Sequence, residues 1–251
     1  MDLFGPVSVS SLNKKKYCLV ITDDCSRFSW FFFLGYKDET FDSIHDLIIS
    51  LENQLRLKVR GIRCDNGTEF KNKLLDDFCI NKGIKSEFSI ARTPQQNGVA
   101  ERKNRTLIEA ARTMLADSTL PIQFWAKAVS AACYILNRVS ITKPQMKTPY
   151  ELLMKRKPNI SFMKPFGCPL TILNTIDNLG KFEGKSDEGY LLCYSTNSKG
   201  FWVYNKVTKK VQDCLHVEFL EDQPNQKGKG PDWMFDLDIL TPSMNYVPVR
   251  R

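Results

Sequence analysis

The sequence predicts an α/β domain, with a mixed five-stranded sheet flanked by helices, followed by a small all-β barrel. Three observations lead there. Short apolar or aromatic runs alternate with amphipathic helical segments through positions 1–140. A Pro- and Lys-rich connector then occupies 141–165, and short strand-like runs divided by turn residues fill 166–220. The stretch 221–251 is polar and Pro-bearing and is expected to be irregular. A chain of 251 residues suffices for one substantial core and a second small one.

The individual elements follow from local chemistry. The runs from Tyr17 to Ile21 and from Phe28 to Leu34 flank the turn-prone Thr22-Asp23-Asp24-Cys25-Ser26-Arg27, which reads as an antiparallel hairpin of buried strands. From Thr40 to Leu55, Phe41, Ile44, Leu47, Ile48 and Leu51 recur at helical spacing behind the acidic Asp38 and Glu39. Val59 to Cys64 reads as a strand ending at the turn tripeptide Asp65-Asn66-Gly67. A helix from Asn72 to Lys82 stops at Gly83, and a further strand runs from Ile84 to Ile90. After the polar loop from Ala91 to Gly98, a helix from Val99 to Ser118 aligns Ala100, Leu107, Ala110, Ala111 and Met114, with Glu101 in its first turn. Pro121 opens one more helix, reaching about Asn137. Beyond the connector, strands are expected at Leu170 to Leu173, Tyr190 to Tyr194, Phe201 to Tyr204 and Val211 to Phe219.

Composition excludes several classes of function. No apolar run approaches the roughly 18 residues that span a bilayer, so no membrane partner is expected. The N-terminus lacks the basic and apolar regions of a secretion signal, so an intracellular protein, of nucleus and cytoplasm, is expected and not a secreted one. The eight cysteines are then reduced thiols. None forms a Cys-x-x-Cys pair and only His45 and His216 are available, so no zinc site is expected. The net charge of +8 is unevenly spread. Positions 1–98 hold 14 Lys/Arg against 13 Asp/Glu, 99–165 hold 12 against 4, and 166–251 hold 10 against 11. The middle excess fits either a solvated basic face or a polyanion footprint.

Two segments carry the sharper signal. Cys64-Asp-Asn-Gly-Thr-Glu-Phe70 and Thr93-Pro-Gln-Gln-Asn-Gly-Val-Ala-Glu-Arg-Lys-Asn104 place 35 residues, positions 66 to 100, between Asp65 and Glu101. These motifs and their spacing resemble copia-type integrases of LTR retrotransposons. Asp2-Leu-Phe-Gly-Pro6 is similar to that family's first acidic motif. The segment from Phe124-Trp125 to Asn137-Arg138 resembles its following helix, and Phe166-Gly-Cys168 through Val217-Glu-Phe219 its small C-terminal β-domain.

The resemblance implies a ribonuclease H-like core in which Asp2, Asp65 and Glu101 are the catalytic carboxylates and ligate Mg2+ or Mn2+. Two ions are expected with DNA bound, because strand transfer is attack by a 3′-hydroxyl on a phosphodiester and hard cations suit carboxylate oxygens. Each acid also has an ordinary role: Asp2 as a terminal residue, Asp65 as a turn residue, and Glu101 as a favourable charge at a helix N-terminus. Asp23 and Asp24 compete with Asp2 for the first ligand position and read as hairpin-turn residues. Contacts to DNA, both element ends and target, are expected from Gln95, Gln96, Asn97, Arg102, Lys103 and Arg105, above all Arg105, which shares a helical face with Glu101. Self-association into a homo-oligomer is implied as well.

Full integrases of this type carry a His/Cys zinc module ahead of the core, and here only Met1 precedes Asp2. The first strand and its ligand are therefore expected to be loosely held. Besides the DNA-joining enzyme, a non-catalytic nucleic-acid-binding module and a purely hydrolytic nuclease stay open.

Overall fold

The computed structural model describes residues 1–89, 97–143, 145–173, 186–195 and 198–220. Strands β1 (Asp2–Phe4), β2 (Tyr17–Thr22) and β3 (Ser29–Leu34) form an antiparallel sheet in the order β1-β2-β3. Helix α1 (Thr40–Leu55) leads to β4 (Gly61–Cys64), and α2 (Lys73–Lys82) connects β4 to the parallel strand β5 (Lys85–Phe88). Helix α3 (Gly98–Ser118) and helix α4 (Trp125–Val139) complete the first layer set. The predicted mixed sheet is present as two ladders, three strands and two, rather than one continuous five-stranded ladder. They meet where the Met1 nitrogen donates to the Arg63 carbonyl of β4.

Burial on both faces explains why β2 and β3 are nearly continuous apolar runs. Cys18 and Val20 pack with Leu107 and Ala111 of α3 and with Trp125, Ala128 and Ala132 of α4. The intervening Leu19 points to the opposite face, beside Ile44 and Ile48 of α1, Ile62 of β4 and Leu75 of α2. Trp125 is a centre of the first face, edge-on to Phe33 at 5.5 Å and to Phe4 at 6.4 Å, with its indole N–H donating to the Val9 carbonyl at 3.0 Å. Gly5 allows β1 to end there: its φ is +128°, and a Cβ would lie 2.7 Å from the Lys16 carbonyl oxygen.

Helix boundaries mostly follow the sequence signals. The Asn72 side chain caps α2 by accepting from the Leu75 N–H at 2.8 Å, and Gly83 closes it with φ +69°. The connector, however, contains a further helix, α5 (Pro149–Met154). Thr148 and Glu151 form a reciprocal capping box with Pro149 at the first helical position, inside the stretch expected to be a connector. Arg138 of α4 lies over the rings of Tyr134 and Tyr150, fastening α5 to α4.

The C-terminal strands are β6 (Pro169–Leu173), β7 (Ser186–Tyr194), β8 (Phe201–Asn205), β9 (Val211–Cys214) and β10 (Val217–Phe219). The single strand expected from Val211 to Phe219 is thus two. All pairings are antiparallel, in the order β10-β6-β7-β8-β9. Between Cys214 and Val217 the chain spans at most about 11 Å, whereas the edges of a flat five-stranded sheet lie about 19 Å apart. The sheet is therefore rolled toward the expected barrel, although β9 and β10 share no ladder. Its interior holds Leu170, Ile172, Leu191, Tyr194 and Val203, while Leu192, Cys193, Trp202 and Tyr204 pack against the α4 core.

A buried amide ties α4 to β3. Asn137 accepts from the Ser29 N–H at 3.0 Å and donates to the Ser29 carbonyl at 2.8 Å, both residues being buried. The Cys133 thiol also donates to that carbonyl, so removing the amide orphans chiefly the N–H. Asn137→Leu is expected to cost about 1–3 kcal/mol, read as a fall in Tm of roughly 3–10 °C by calorimetry; an unchanged Tm would show the clamp to be idle.

Candidate active site

Asp2, Asp65 and Glu101 come from three elements that the fold brings to one edge. Asp2 opens β1, Asp65 directly follows β4, and Glu101 sits in the first turn of α3. The Met1–Arg63 bond brings β1 alongside β4, and α3 packs against β1. Asp2 senses both other acids. Burial raises the Asp2 pKa above its ordinary 3.8, the Asn104 hydrogen bond opposes that rise, and repulsion from Asp65 and, more weakly, Glu101 adds to it.

Local contacts hold Asp65 and Asp2. Asp65 Oδ1 accepts from the Gly67 N–H at 3.2 Å, the turn role read from the sequence, which leaves its other oxygen out of that turn bond. Asp2 Oδ2 accepts from the Asn104 Nδ2 at 2.7 Å. One turn N-terminal to Glu101, Asn97 donates to the Met1 carbonyl at 3.1 Å. The first strand is thus firmly seated by β2 pairing and two helix amides, contrary to the loose edge expected from its position. Asp23 is spent in the hairpin turn, accepting from the Ser26 N–H at 2.7 Å and hydroxyl at 2.6 Å, and Asp24 pairs with Arg27 at 2.7 Å.

The remaining expected contacts divide by direction. Arg102 and Arg105 are exposed, Arg105 on the Glu101 side of the helix. Lys103 turns partly inward: burial lowers its pKa, and interaction with Cys133 of α4, whose thiol burial pushes up to about 12, opposes that fall. Asn97 is buried and serves β1. Gln95 and Gln96 lie outside the described residues. Asn104 was missed as a site residue, although its position three residues after Glu101 puts it on the same side of the helix.

Among the described residues, no three carboxylate, thiol or imidazole groups are drawn together closely enough to ligate one ion. The donor chemistry nevertheless suits a hard divalent cation: acid oxygens only, with Asp2 repelled by the other two and partly withdrawn from water. A cavity of about 730 Å3 lies nearby, between α1, α5 and the hairpin turn, edged by Met1, Gly98 and Arg102. None of the three acids lines it.

Comparison with known proteins decides the family. Residues 1–94 match the integrase core domain and residues 168–232 the retroviral polymerase SH3-like domain. This chain carries an integrase core domain and a retroviral polymerase SH3-like domain. Its homologues are Pol polyproteins of plant copia-type transposons. The retrovirus-related Pol polyprotein from transposon TNT 1-94 of Nicotiana tabacum is 32% identical over 222 residues, which is 88% of this chain and 17% of that protein. The Pol polyprotein from transposon RE2 of Arabidopsis thaliana is 28% identical over 213 residues, 85% of this chain and 14% of that protein. The integrase segment described here therefore spans about a sixth of the curated relatives' length.

Similar solved structures include the HTLV-2 integrase catalytic core domain in complex with magnesium, at 22% identity and TM-score 0.43 over 60% of this chain and 94% of that one. Another is the simian T-cell lymphotropic virus intasome in complex with PP2A regulatory subunit B56 gamma, at 18% identity and TM-score 0.49 over 85% and 75%. No described helix of the integrase chain is long and apolar enough to cross a membrane.

The raised Asp2 pKa has a definite sign. The folded state holds this proton more tightly than the unfolded state does, so the stability it contributes is complete below pH 3.8 and is lost as pH rises through the raised value. In chelator-treated protein, Asp2→Asn is therefore expected to gain stability over the parent as pH rises from about 4 to about 7. Denaturant melts across that range measure the difference. A gap that stays constant with pH would contradict the proposed origin of the shift.

Proposed function

We propose that this integrase core is a divalent-metal-dependent polynucleotidyl transferase that processes DNA 3′ ends and joins them to target DNA. Asp2, Asp65 and Glu101 are its catalytic carboxylates and metal ligands. The observation that carries the reading is the electrostatic coupling of Asp2 to both other acids, which come from positions far apart in the sequence. Such a cluster is unfavourable alone and becomes favourable around Mg2+ or Mn2+, so the ligands are expected to close up on the ion.

In the joining step, a 3′-hydroxyl gives up its proton to solvent as its oxygen bonds to phosphorus, the bond to the displaced 3′-oxygen breaks, and that oxygen takes up a proton from solvent. Divalent ions, held by Asp2, Asp65 and Glu101, would supply Lewis acidity to the attacking and leaving oxygens. The chain's part is to hold the acids. Asp2 stands at a strand seated by β2 and α3, Asp65 is oriented by its turn, and Glu101 rides on the packed helix α3. No side chain is needed as nucleophile. Arg102 and Arg105, solvent-facing on the same helix, bind phosphates, and homo-oligomers bring paired DNA ends together.

A second reading is a nucleic-acid-binding module without chemistry, favoured by the lack of a closed ligand set among the described residues. The two separate in one assay: a labelled duplex with a recessed 3′-hydroxyl, a target plasmid and Mn2+. The transferase reading expects joined product, abolished by Asp65→Asn or Glu101→Gln while duplex binding survives. Binding with no product from the parent supports the module.

Directions on α3 give a finer test. Arg105→Ala is expected to lower the slope of log affinity against log salt by about 1. Lys103→Ala, which removes an inward side chain, should leave that slope unchanged. Fluorescence anisotropy at several salt concentrations measures both, and equal slopes for the parent and Arg105→Ala would remove Arg105 from the DNA contact.

A further inference from the structure

We infer that Arg138 and Arg156 form a phosphodiester-binding site at the corner of α4 and α5, a nucleic-acid contact apart from the three acids. That the polyanion is nucleic acid rests on the proposed function, in either of its readings. The anion site itself stands on the geometry of the corner.

Arg138 lies in the last turn of α4, its guanidinium carbon 3.4 Å from the centroid of the Tyr134 ring and 4.7 Å from that of Tyr150. Arg156, two residues past α5, lies 5.8 Å from the same Tyr150 centroid, and its Nε donates to the Tyr150 hydroxyl at 2.9 Å. One buried tyrosine thus carries two guanidiniums. A cation at a helix C-terminus or over an aromatic face is ordinary by itself. Two that share a ring with no acid between them are not. Neither arginine forms an ion pair with a carboxylate among the described residues. Burial depresses the Arg138 pKa, the Tyr134 and Tyr150 hydroxyls oppose the fall, and the Arg156 charge adds to it.

The count of donors gives the chemistry of the ligand. A guanidinium offers five N–H donors in a planar fork. Arg138 spends one on the Tyr134 carbonyl, from Nη1 at 3.1 Å, and Arg156 spends its Nε. The remaining donors meet no protein acceptor among the described residues. Stacking on the tyrosines holds both forks ready, and an oxyanion taken up by them accepts paired hydrogen bonds while cancelling their repulsion.

The surroundings favour a polymer over a single anion. From Ser118 to Ile176, eight Lys/Arg stand against one acid, Glu151. That acid is committed to its own helix, its Oε2 accepting from the Thr148 N–H at 2.9 Å and hydroxyl at 3.0 Å. Lys143, Lys147, Lys155 and Lys157 are exposed. Lys155 also borders the same cavity as Arg102, which places the corner on the side of the molecule where the residue after Glu101 stands. Cations spread along a surface suit a phosphate backbone, whose contacts release counterions.

Fluorescence anisotropy of a labelled duplex across a salt series tests the site without any chemistry. Arg156→Gln is expected to weaken binding and to lower the slope of log affinity against log salt by about 1. Arg156→Lys and Arg138→Lys should keep the slope yet bind more weakly than the parent, because an ammonium does not reproduce the fork. If Arg138→Lys fails to fold, the two Arg156 variants decide. Lys16→Gln, an equal charge change at an exposed position just before β2, should match the parent. Parent-like binding in Arg156→Gln, or equal losses in Arg156→Gln and Lys16→Gln, overturns the inference; if Arg105→Ala still lowers the slope, the proposed function stands without it. Displacement of the duplex by inorganic phosphate at equal phosphate concentration, or capture by phosphatidylserine vesicles in preference to duplex, also overturns it. The expected slopes in a parent that joins no DNA remove the transferase reading and uphold this contact.

Discussion

The hydrogen bond from the Asn104 amide to Asp2 is the constraint on which the rest of the site depends. A strand of three residues has few ladder bonds of its own, and the acid at its start is pushed by two like charges. It keeps its place because α3 is itself immovable. Leu107 and Ala111 lock that helix against β2 and α4, and its amides then grip β1. The position of the acids is thus inherited from a hydrophobic core several residues away, since close-packed interiors transmit position faithfully.

This arrangement also explains why a charged, polar edge is tolerated at all. Burying a carboxylate without a partner is costly, and a single neutral donor offsets only part of the cost. The fold accepts the remainder at Asp2. Its other polar burial is conservative by comparison: Asn137 satisfies both groups of Ser29, and Tyr194 exchanges hydrogen bonds with the Lys164 backbone at 2.7 and 2.8 Å. The one buried side-chain polar atom without a hydrogen-bond partner among the described residues, Asn104 Oδ1, lies beside the proposed chemistry.

Much of this was legible in the residues. Alternating sides of Cys18, Leu19 and Val20 produce an unbroken apolar run because both faces of β2 are covered, and Asp65 ends its strand as the turn tripeptide suggests. What sequence spacing could not convey is which helix face meets which neighbour. Lys103 stands about 200° from Glu101 around the helix and is partly buried on the Cys133 side, although it was expected among the DNA contacts. Asn97 reads as a polar loop residue and is buried because the Met1 carbonyl needs a donor. The helix α5 was hidden by composition, since the Lys and Pro around it outnumber the four residues of its capping box. The division of the last strand falls at Leu215-His216, where no glycine or proline marks the break.

Helix α4 belongs to two cores. One side of it closes over β2 and β3, and Leu192, Cys193, Trp202 and Tyr204 of the curled C-terminal sheet complete the same apolar cluster. Tyr134 stacks on Tyr194 at 4.7 Å, and Phe124 meets Tyr204 at 5.1 Å, so aromatic seams run the helix's length. The sheet is consequently a lid on the helix rather than a bead on a string. Any excised fragment that stops at the end of α4 would wet a ready-made greasy surface, and self-sticking of such a piece would say nothing about how the intact chain assembles.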